Sequence, residues 1–159
     1  MYHRILVCTD GSELATLAAT HAVGVAKSLQ AHLIAIYVTP PFLPPEGFED
    51  SPMMPAMRKH MAASRSGARR HLAAVTRRAE LAGVQCETLH VGGMSAASLI
   101  VDTARRKRCD LIVMGSHGRD RIKQVLLGSV TTRVLETCTI SVLVVRLGGE
   151  VAHRGAKPR

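Results

Sequence analysis

The amino-acid sequence predicts an α/β fold in which five parallel strands form a single doubly wound sheet with helices on both faces. Two observations support this prediction. Apolar runs of five to eight residues alternate with longer amphipathic segments, and the first run, residues 4–9, is continuously apolar rather than alternating. A continuous run is typical of a strand covered on both faces. Alternating strands and helices require parallel strands joined by right-handed crossovers.

The first strand is expected to end in a tight turn that leads into a helix. Asp10, Gly11 and Ser12 interrupt the apolar run, and Ser12 is predicted to cap the helix with Glu13 in its first turn. Apolar positions then follow at helical spacing: Leu14, Leu17, Ala18, His21, Val25 and Leu29.

A proline-rich segment separates the second strand, residues 32–38, from a long helix. Residues 39–55 hold six of the seven prolines, so we expect a long, mobile loop there. Beyond the loop, one apolar stripe predicts a helix of about seven turns that ends at Gly83. The stripe consists of Met57, Met61, Ser64, Ala68, Leu72, Val75, Ala79 and Ala82. We interpret its methionines as core packing.

The remaining elements continue the alternation. Residues 84–91 predict the third strand, Gly92-Gly93 is its exit, and Ser95 caps the third helix. The fourth strand, fourth helix and fifth strand are expected at residues 110–114, 128–137 and 140–146.

These elements predict one domain over residues 1–147, followed by a disordered polar tail over residues 148–159. In doubly wound sheets, ligands bind beyond the carboxyl ends of the strands, where the strand order reverses. That rule directs attention to Asp10, Val38 and the residues after Met114.

Length and composition indicate a chain with its own core. Its 159 residues fit one domain, and its apolar runs are too short to span a membrane. We expect a soluble, cytoplasmic protein without a signal peptide, because residues 1–4 lead directly into a strand. None of the cysteines forms a C-x-x-C pair, and we interpret them as reduced, mostly buried thiols. They are Cys8, Cys86, Cys109 and Cys138.

The net charge of +9 raises the question of a nucleic-acid partner. Seven cations fall in the long second helix, and residues 105–108 end the third helix, where cations favour the helix dipole. With two Tyr and two Phe, few aromatic side chains could stack on single-stranded bases. We therefore interpret the charge as a solvated basic surface. A basic nucleic-acid-binding module is kept as an alternative, which strong salt dependence of binding would support.

A spaced glycine pattern follows the fourth strand. It has the form G-x-x-G-x9-G-S and comprises Gly115, Gly118, Gly128 and Ser129. Glycines permit backbone conformations closed to other residues and leave main-chain amides accessible, and amides at a helix N-terminus attract anions. Nine residues are long enough to go out and fold back. The two glycine sites could then converge on one polyphosphate.

The residues within this pattern have two interpretations. Arg119, Arg121 and Lys123 suit phosphate oxygens, or they belong to a basic surface loop between a strand and a helix. His117 could contact the ligand or be an ordinary loop residue. Asp10 could cap the turn before the first helix, but we favour ligand contact because the first strand borders the switch point.

Four segments resemble the universal stress protein family. They are Ile-Leu-Val-Cys-Thr-Asp-Gly-Ser at 5–12, Leu-Ile-Val-Met-Gly-Ser-His-Gly at 111–118, Leu-Leu-Gly-Ser-Val-Thr at 126–131 and Val-Leu-Val-Val at 142–145. The resemblance covers about residues 3–147. It implies a Rossmann-like, adenine nucleotide alpha hydrolase-like fold and, for members with this glycine pattern, ATP or a related adenine nucleotide in the cleft.

The resemblance also implies individual contacts. Asp10 would lie beside the ribose and adenine, and Val38 would contact the adenine through its backbone. The ribose and phosphates would be lined by Met114, Gly115, Gly118, Gly128, Ser129 and Val130. His117 and Arg119 join this set through their charge. AMP or a cyclic nucleotide is an alternative to ATP, and Mg²⁺ could accompany the phosphates.

A homodimer is a further implication of the resemblance. Residues 142–145 form an apolar edge strand, and an uncovered edge invites pairing. The family resemblance implies a homodimer through the strand at residues 141–146, and two-fold self-pairing gives a closed assembly.

The predicted function is that of a nucleotide-binding regulatory or stress-response protein. An ATP hydrolase or phosphotransferase is the main alternative, but the chain has no G-x-x-x-x-G-K-[ST] loop and no acidic pair placed to hold magnesium. Slow hydrolysis remains open. A phosphoacceptor receiver would need an acidic residue where Val91-Gly92 ends the third strand.

Overall fold

The computed structural model describes residues 1–39, 51–117 and 127–147. Five strands and four helices alternate in these ranges, and their bounds differ from the predicted ones by at most three residues. The elements are β1 Arg4–Cys8, α1 Glu13–Leu29, β2 His32–Thr39, α2 Met54–Leu81, β3 Cys86–Gly92, α3 Ala96–Arg106, β4 Leu111–Gly115, α4 Ser129–Thr137 and β5 Ser141–Val145.

The strands form one parallel sheet in the order β3-β2-β1-β4-β5. The chain builds outward from β1 through β2 to β3, then returns to the other side of β1 for β4 and β5. The strand order therefore reverses between β1 and β4. This arrangement confirms the predicted doubly wound fold.

Each face of the sheet has its own core. One core joins the sheet to α1 and α2, and the other joins it to α3 and α4. In β1, Ile5 and Val7 belong to the first core and Leu6 to the second, all with no exposed surface. Burying such a side chain contributes about 1.5–3 kcal/mol. The continuous apolar run that predicted β1 thus reflects cover on both faces.

The buried face of α1 is built mainly from alanine. Its buried residues are Leu14, Ala15, Ala18, Ala19, Ala22, Val23 and Ala26. The predicted stripe is wrong at His21, which is exposed, while Leu17, Val25 and Leu29 are half-buried at the edge of the core. The small alanine side chains let this helix lie close to the sheet. The larger Leu17, Val25 and Leu29 therefore lie at the edge of its buried face and not at the centre.

The predicted stripe of α2 is buried only in the C-terminal half of the helix. Ala68, Leu72, Val75 and Ala79 are buried, whereas the stripe residues between Met54 and Ser64 are half-buried. The helix spans 28 residues, or about 42 Å. Its C-terminal half is thus held by the core, while its N-terminal half is less covered.

Three predicted segments fall partly or wholly outside the described residues. They are the proline-rich loop at 40–50, the basic loop at 118–126 and the tail at 148–159. In the ranges that the structure describes, no helix is both long and apolar enough to cross a membrane.

Candidate functional site

A cavity of about 590 Å³ opens at the carboxyl edge of the sheet, where the strand order reverses. Residues from the ends of β1, β2 and β4, from the segment after β3 and from the start of α4 line it. Its volume lies within the range of about 300–1,000 Å³ that small-molecule sites occupy. The cavity therefore lies where ligands bind in doubly wound sheets.

The structure brings most of the predicted site residues to this cavity. Gly118 and Arg119 lie outside the described residues, as do Arg121 and Lys123. The others all line the cavity: Asp10, Val38, Met114, Gly115, His117, Gly128, Ser129 and Val130.

Asp10 shapes the turn between β1 and α1. Its Oδ1 accepts a hydrogen bond from the amide of Ser12 at 2.9 Å. Ser12 in turn caps α1, because its Oγ accepts a bond from the amide of Ala15 at 3.1 Å. The interpretation of Asp10 as a turn former is therefore confirmed, and the same turn places its carboxyl group at the cavity.

The turn is also in contact with α2 through His71. Gly11 has a φ of +81°, and a Cβ atom there would overlap the His71 ring. The same ring stacks on Tyr37, with centroids 6.0 Å apart and planes 3° apart. Because Tyr37 lines the cavity, His71 links α2 both to the turn after β1 and to the wall of the cavity.

Val38 directs its backbone toward the cavity. The pairing of β1 with β2 ends with Cys8 opposite Ile36, and the carbonyl of Ile36 accepts a bond from the amide of Thr9 at 3.0 Å. Carbonyls two residues apart point to the same side of a strand. The carbonyl of Val38 therefore points into the space beyond the end of β1.

Gly115 has a different structural role from the predicted one. In the described residues, the glycines with positive φ are Gly11 and Gly83, so Gly115 needs no special backbone conformation. A Cβ atom at Gly115 would instead lie 2.9 Å from Cγ of Leu14 and 3.1 Å from the carbonyl oxygen of His117. The glycine is required because α1 packs closely against the end of β4.

Gly128 also departs from the prediction. Its amide is not bare, because it donates to the carbonyl of Ser116 at 2.6 Å. Gly128 is the N-cap residue of α4, with φ −71° and ψ 155°, and no side chain caps this helix end. Among the described residues, no backbone acceptor pairs with the amides of Ser129, Val130 and Thr131, as expected for the first turn of a helix. These three amides are backbone donors that the described part of the site can offer a ligand.

Hydrogen bonds hold the two glycine segments together. The buried Thr131 hydroxyl donates to the carbonyl of Gly115 at 2.9 Å. The amide of Ser116 donates to the carbonyl of Val145 at 2.8 Å, and the Ser116 hydroxyl lies 3.0 Å from Nδ1 of His117. The end of β4 and the start of α4 therefore converge on one cavity.

Sequence reasoning missed several residues that line the cavity, among them Tyr37, Ser64, Met94 and Thr131. Met94 follows the Gly92-Gly93 exit of β3, so the strand-end rule could have found it. Ser64 could not have been found, because only the path of α2 across the sheet brings it to the site. Thr131 is an ordinary polar residue in the helix pattern.

Cys8 is among the residues that line the cavity, and its thiol stays protonated at neutral pH. Burial, followed by the neighbouring Cys109, raises the pKa of Cys8 to about 12. Burial chiefly raises the pKa of Cys109 to about 11. All four cysteines are free thiols, of which Cys109 is buried and the others are half-buried. That the thiols are reduced stays a prediction, and the expected burial is complete for Cys109 and partial for the other three.

A family model described as the universal stress protein family matches residues 1–146. The chain belongs to the universal stress protein family. The universal stress protein MJ0531 of Methanocaldococcus jannaschii is 37% identical over 150 residues, which cover 92% of this chain and 83% of that protein. The predicted family membership is therefore confirmed.

Solved universal stress protein structures share the fold along nearly the whole chain. The protein MJ0577, also of M. jannaschii, has a TM-score of 0.75 and 27% identity, covering 94% of this chain and 99% of that one. A universal stress protein in complex with cAMP has a TM-score of 0.68 and 28% identity, covering 91% and 97%.

Proposed function

We propose that this chain binds an adenine nucleotide, with ATP preferred, in the cavity at the carboxyl edge of the sheet. Binding there would serve a regulatory role in a stress response. The observation that carries the proposal is the set of three amides at the start of α4 that have no backbone acceptor among the described residues and line a cavity of about 590 Å³ at the switch point. The cAMP complex of a related protein supports an adenine nucleotide as the ligand class.

The phosphates would lie at the start of α4. The amides of Ser129, Val130 and Thr131 and the positive end of the helix dipole favour negative charge. Ser129 is exposed and adds a hydroxyl donor. Arg119, Arg121 and Lys123 remain predicted partners of the phosphates, and Mg²⁺ remains a predicted companion of the nucleotide. In the described ranges, no three His, Cys, Asp or Glu side chains group as a metal site, so the phosphates themselves would supply most of its ligands.

The base and ribose would lie toward β1 and β2. The Val38 carbonyl can accept a hydrogen bond from the adenine amino group, and the Asp10 carboxylate can accept one from a ribose hydroxyl. Met114 is 4% exposed and Ile36 is 1% exposed, so the floor of the cavity is apolar. A flat base stacks well on such a floor, which supports this orientation.

Replacing Ser129 by proline isolates the contribution of a single amide. Proline is favoured at the first position of a helix and lacks an N–H group. The preceding Gly128, with ψ 155°, already has the extended conformation that a residue before proline adopts. We expect Ser129→Pro to fold normally and to weaken ATP binding about tenfold or more, since bonds to charged groups contribute about 1.5–3 kcal/mol.

Ser129→Ala is the matched control, because it removes the hydroxyl and keeps the amide. Calorimetric titration with ATP should show a much smaller loss for this variant. ATP binding by Ser129→Pro at the wild-type affinity would refute the phosphate position, and no ATP binding by the wild type near millimolar concentration would refute the function. Mass spectrometry of ligand released from the denatured protein would decide between ATP, AMP and a cyclic nucleotide. Multiple-turnover ATP hydrolysis lost in Ser129→Pro would instead favour an enzyme.

The homodimer and the cytoplasmic location also remain proposals. β5 is an edge strand, with Leu143 37% exposed and Leu147 beyond it 47% exposed. Such an edge can pair with its copy. We expect a dimer by light scattering that Leu143→Lys converts to a monomer, and a monomeric wild type would refute this interface.

A further inference from the structure

Positive charge is concentrated on the solvent-facing side of α2. This helix carries seven cationic side chains and one carboxylate, that of Glu80. Six of the cations are exposed and Arg78 is half-buried. They are Arg58, Lys59, Arg65, Arg69, Arg70, Arg77 and Arg78. One helix therefore provides most of the net charge of +9.

Helical periodicity places three of these cations directly opposite the sheet. The buried residues of α2, from Ala68 to Ala79, mark the face that packs on β2 and β3. At 100° per residue, Lys59, Arg70 and Arg77 lie on the opposite side of the helix. From Lys59 to Arg77 the rise is about 27 Å at 1.5 Å per residue. These three cations thus form an extended stripe along the solvent-facing side of α2, and the other four cations lie on its flanks.

The surface between the cations is formed by small side chains. Its exposed residues are Ala62, Ala63, Ser66, Ala73 and Ala74. From Arg58 to Arg78 the described side chains include no exposed large apolar group. Protein partners are usually held by buried aromatic or aliphatic anchors, and membrane-surface helices insert an apolar face. The apolar face of α2 is packed on the sheet in the C-terminal half of the helix, and its Met57 and Met61 in the N-terminal half are half-buried.

Among the described residues, the ion pairs within 4 Å do not include the cations of α2. These pairs are Lys107 with Glu87 and Arg133 with Glu136, and neither involves α2. Like charges one turn apart, such as Arg65 and Arg69, repel each other. Six of the seven cations are arginines, whose planar guanidinium forms paired hydrogen bonds to phosphate. An extended row of phosphates would relieve the repulsion and use this geometry.

We propose that the exposed face of α2 binds the phosphate backbone of a double-stranded nucleic acid without reading its sequence. The scarcity of aromatic residues disfavours single strands, which bind by stacking, but backbone contacts to a duplex need no stacking. α2 covers the β2 and β3 side of the sheet, at the opposite edge from β5. The stripe therefore remains open in the proposed homodimer.

The test is the binding of a labelled duplex of about 25 base pairs and arbitrary sequence to the full chain, measured by fluorescence anisotropy at several salt concentrations. The central variant is Lys59→Gln/Arg70→Gln/Arg77→Gln, which removes the three cations opposite the buried face. Each lost phosphate contact should reduce the slope of log K against log [salt] by about 0.9. We expect the triple variant to bind at least tenfold more weakly and to lose about two to three units of slope.

Arg105→Gln/Arg106→Gln/Arg133→Gln is the matched control, because it removes the same charge from exposed sites on α3 and α4, across the sheet. We expect it to change duplex affinity less than threefold. Equal losses in both triple variants would show that only net charge matters and would overturn the proposal. So would a wild type that fails to bind the duplex at about 50 mM salt. Tighter binding to phosphatidylserine vesicles than to the duplex, with the same dependence on Lys59, Arg70 and Arg77, would show that the partner is a membrane and not a nucleic acid.

Discussion

α1 and α2 lie on the same face of the sheet, but they differ in how they are held there. α1 covers the central strands, buries seven residues along its length and is capped by Ser12. α2 covers β2 and β3, buries its core residues in its C-terminal half and has no side-chain cap. From this difference we infer that α1 mainly stabilises the fold. α2 instead contributes residues near the cavity and a face exposed to solvent.

The largest expected difference is between core residues of the two helices. Leu14→Ala in α1 should lower the free energy of unfolding by about 2–5 kcal/mol, because Leu14 is 6% exposed and its truncation leaves a cavity in the core. Met61→Ala in α2 should cost less than half as much, since Met61 is only half-buried. Urea denaturation measures both. Equal losses would contradict the contrast between the helices.

A second test concerns the contact by which α2 reaches the site. Gly11→Ala should cost about 1–2 kcal/mol for the positive φ, plus the cost of displacing the His71 ring. Gly83→Ala is the matched control, because Gly83 has a φ of +72° and an added Cβ atom there would meet no described atom within 4 Å. In a His71→Ala background the two glycine variants should become equally destabilising by thermal denaturation. A difference that persists there would mean that His71 does not link α2 to the turn.

The helix caps predict a smaller effect. Ser12→Ala removes a hydrogen bond to the amide of Ala15 and should cost about 1 kcal/mol. Met53 occupies the corresponding position of α2 and makes no cap bond, so Met53→Ala should change stability by less than about 0.5 kcal/mol. Both values come from chemical denaturation at one pH. If Met53→Ala lowered the free energy of unfolding as much as Ser12→Ala, the Met53 side chain would stabilise the start of α2 as strongly as the Ser12 cap stabilises α1.

The smallest expected effect on the free energy of unfolding at moderate pH comes from two thiols on the face of the sheet that α3 and α4 cover. Burial holds the pKa values of Cys8 and Cys109 at about 12 and about 11, above the ordinary value of 9.0. Above pH 9.0 the unfolded chain therefore loses these protons before the folded protein does, and the free energy of unfolding falls. Well below that pH both states are protonated and the contribution does not vary with pH.

Urea midpoints at about pH 8 and about pH 10 test this effect. Cys8→Ala should have a smaller loss between the two pH values than the wild type. Because Cys8 packs against the core beneath α3 and α4, Leu14→Ala should leave the pH dependence unchanged. A wild-type midpoint that does not fall at the higher pH would contradict the raised pKa values.

Much of the site could be predicted because strand ends are marked locally in the sequence. Asp10, Val38 and Met114 lie at or just after apolar runs, and parallel strands bring their carboxyl ends to one edge. The glycine pattern correctly indicated that residues 115 and 128 would come together. It did not reveal which amides would be left for a ligand, because the bond from Gly128 to Ser116 depends on how the chain folds back.

By itself, the sequence determined the order of strands and helices, the doubly wound class and the family. These follow from hydrophobic periodicity and short motifs, which act over a few residues. Only the tertiary structure decided why Gly115 must be glycine, where His71 lies and how much of the apolar stripe of α2 is buried. Each depends on a contact between residues distant in the chain, such as Leu14 with Gly115 or Gly11 with His71, and local periodicity carries no information about such pairs.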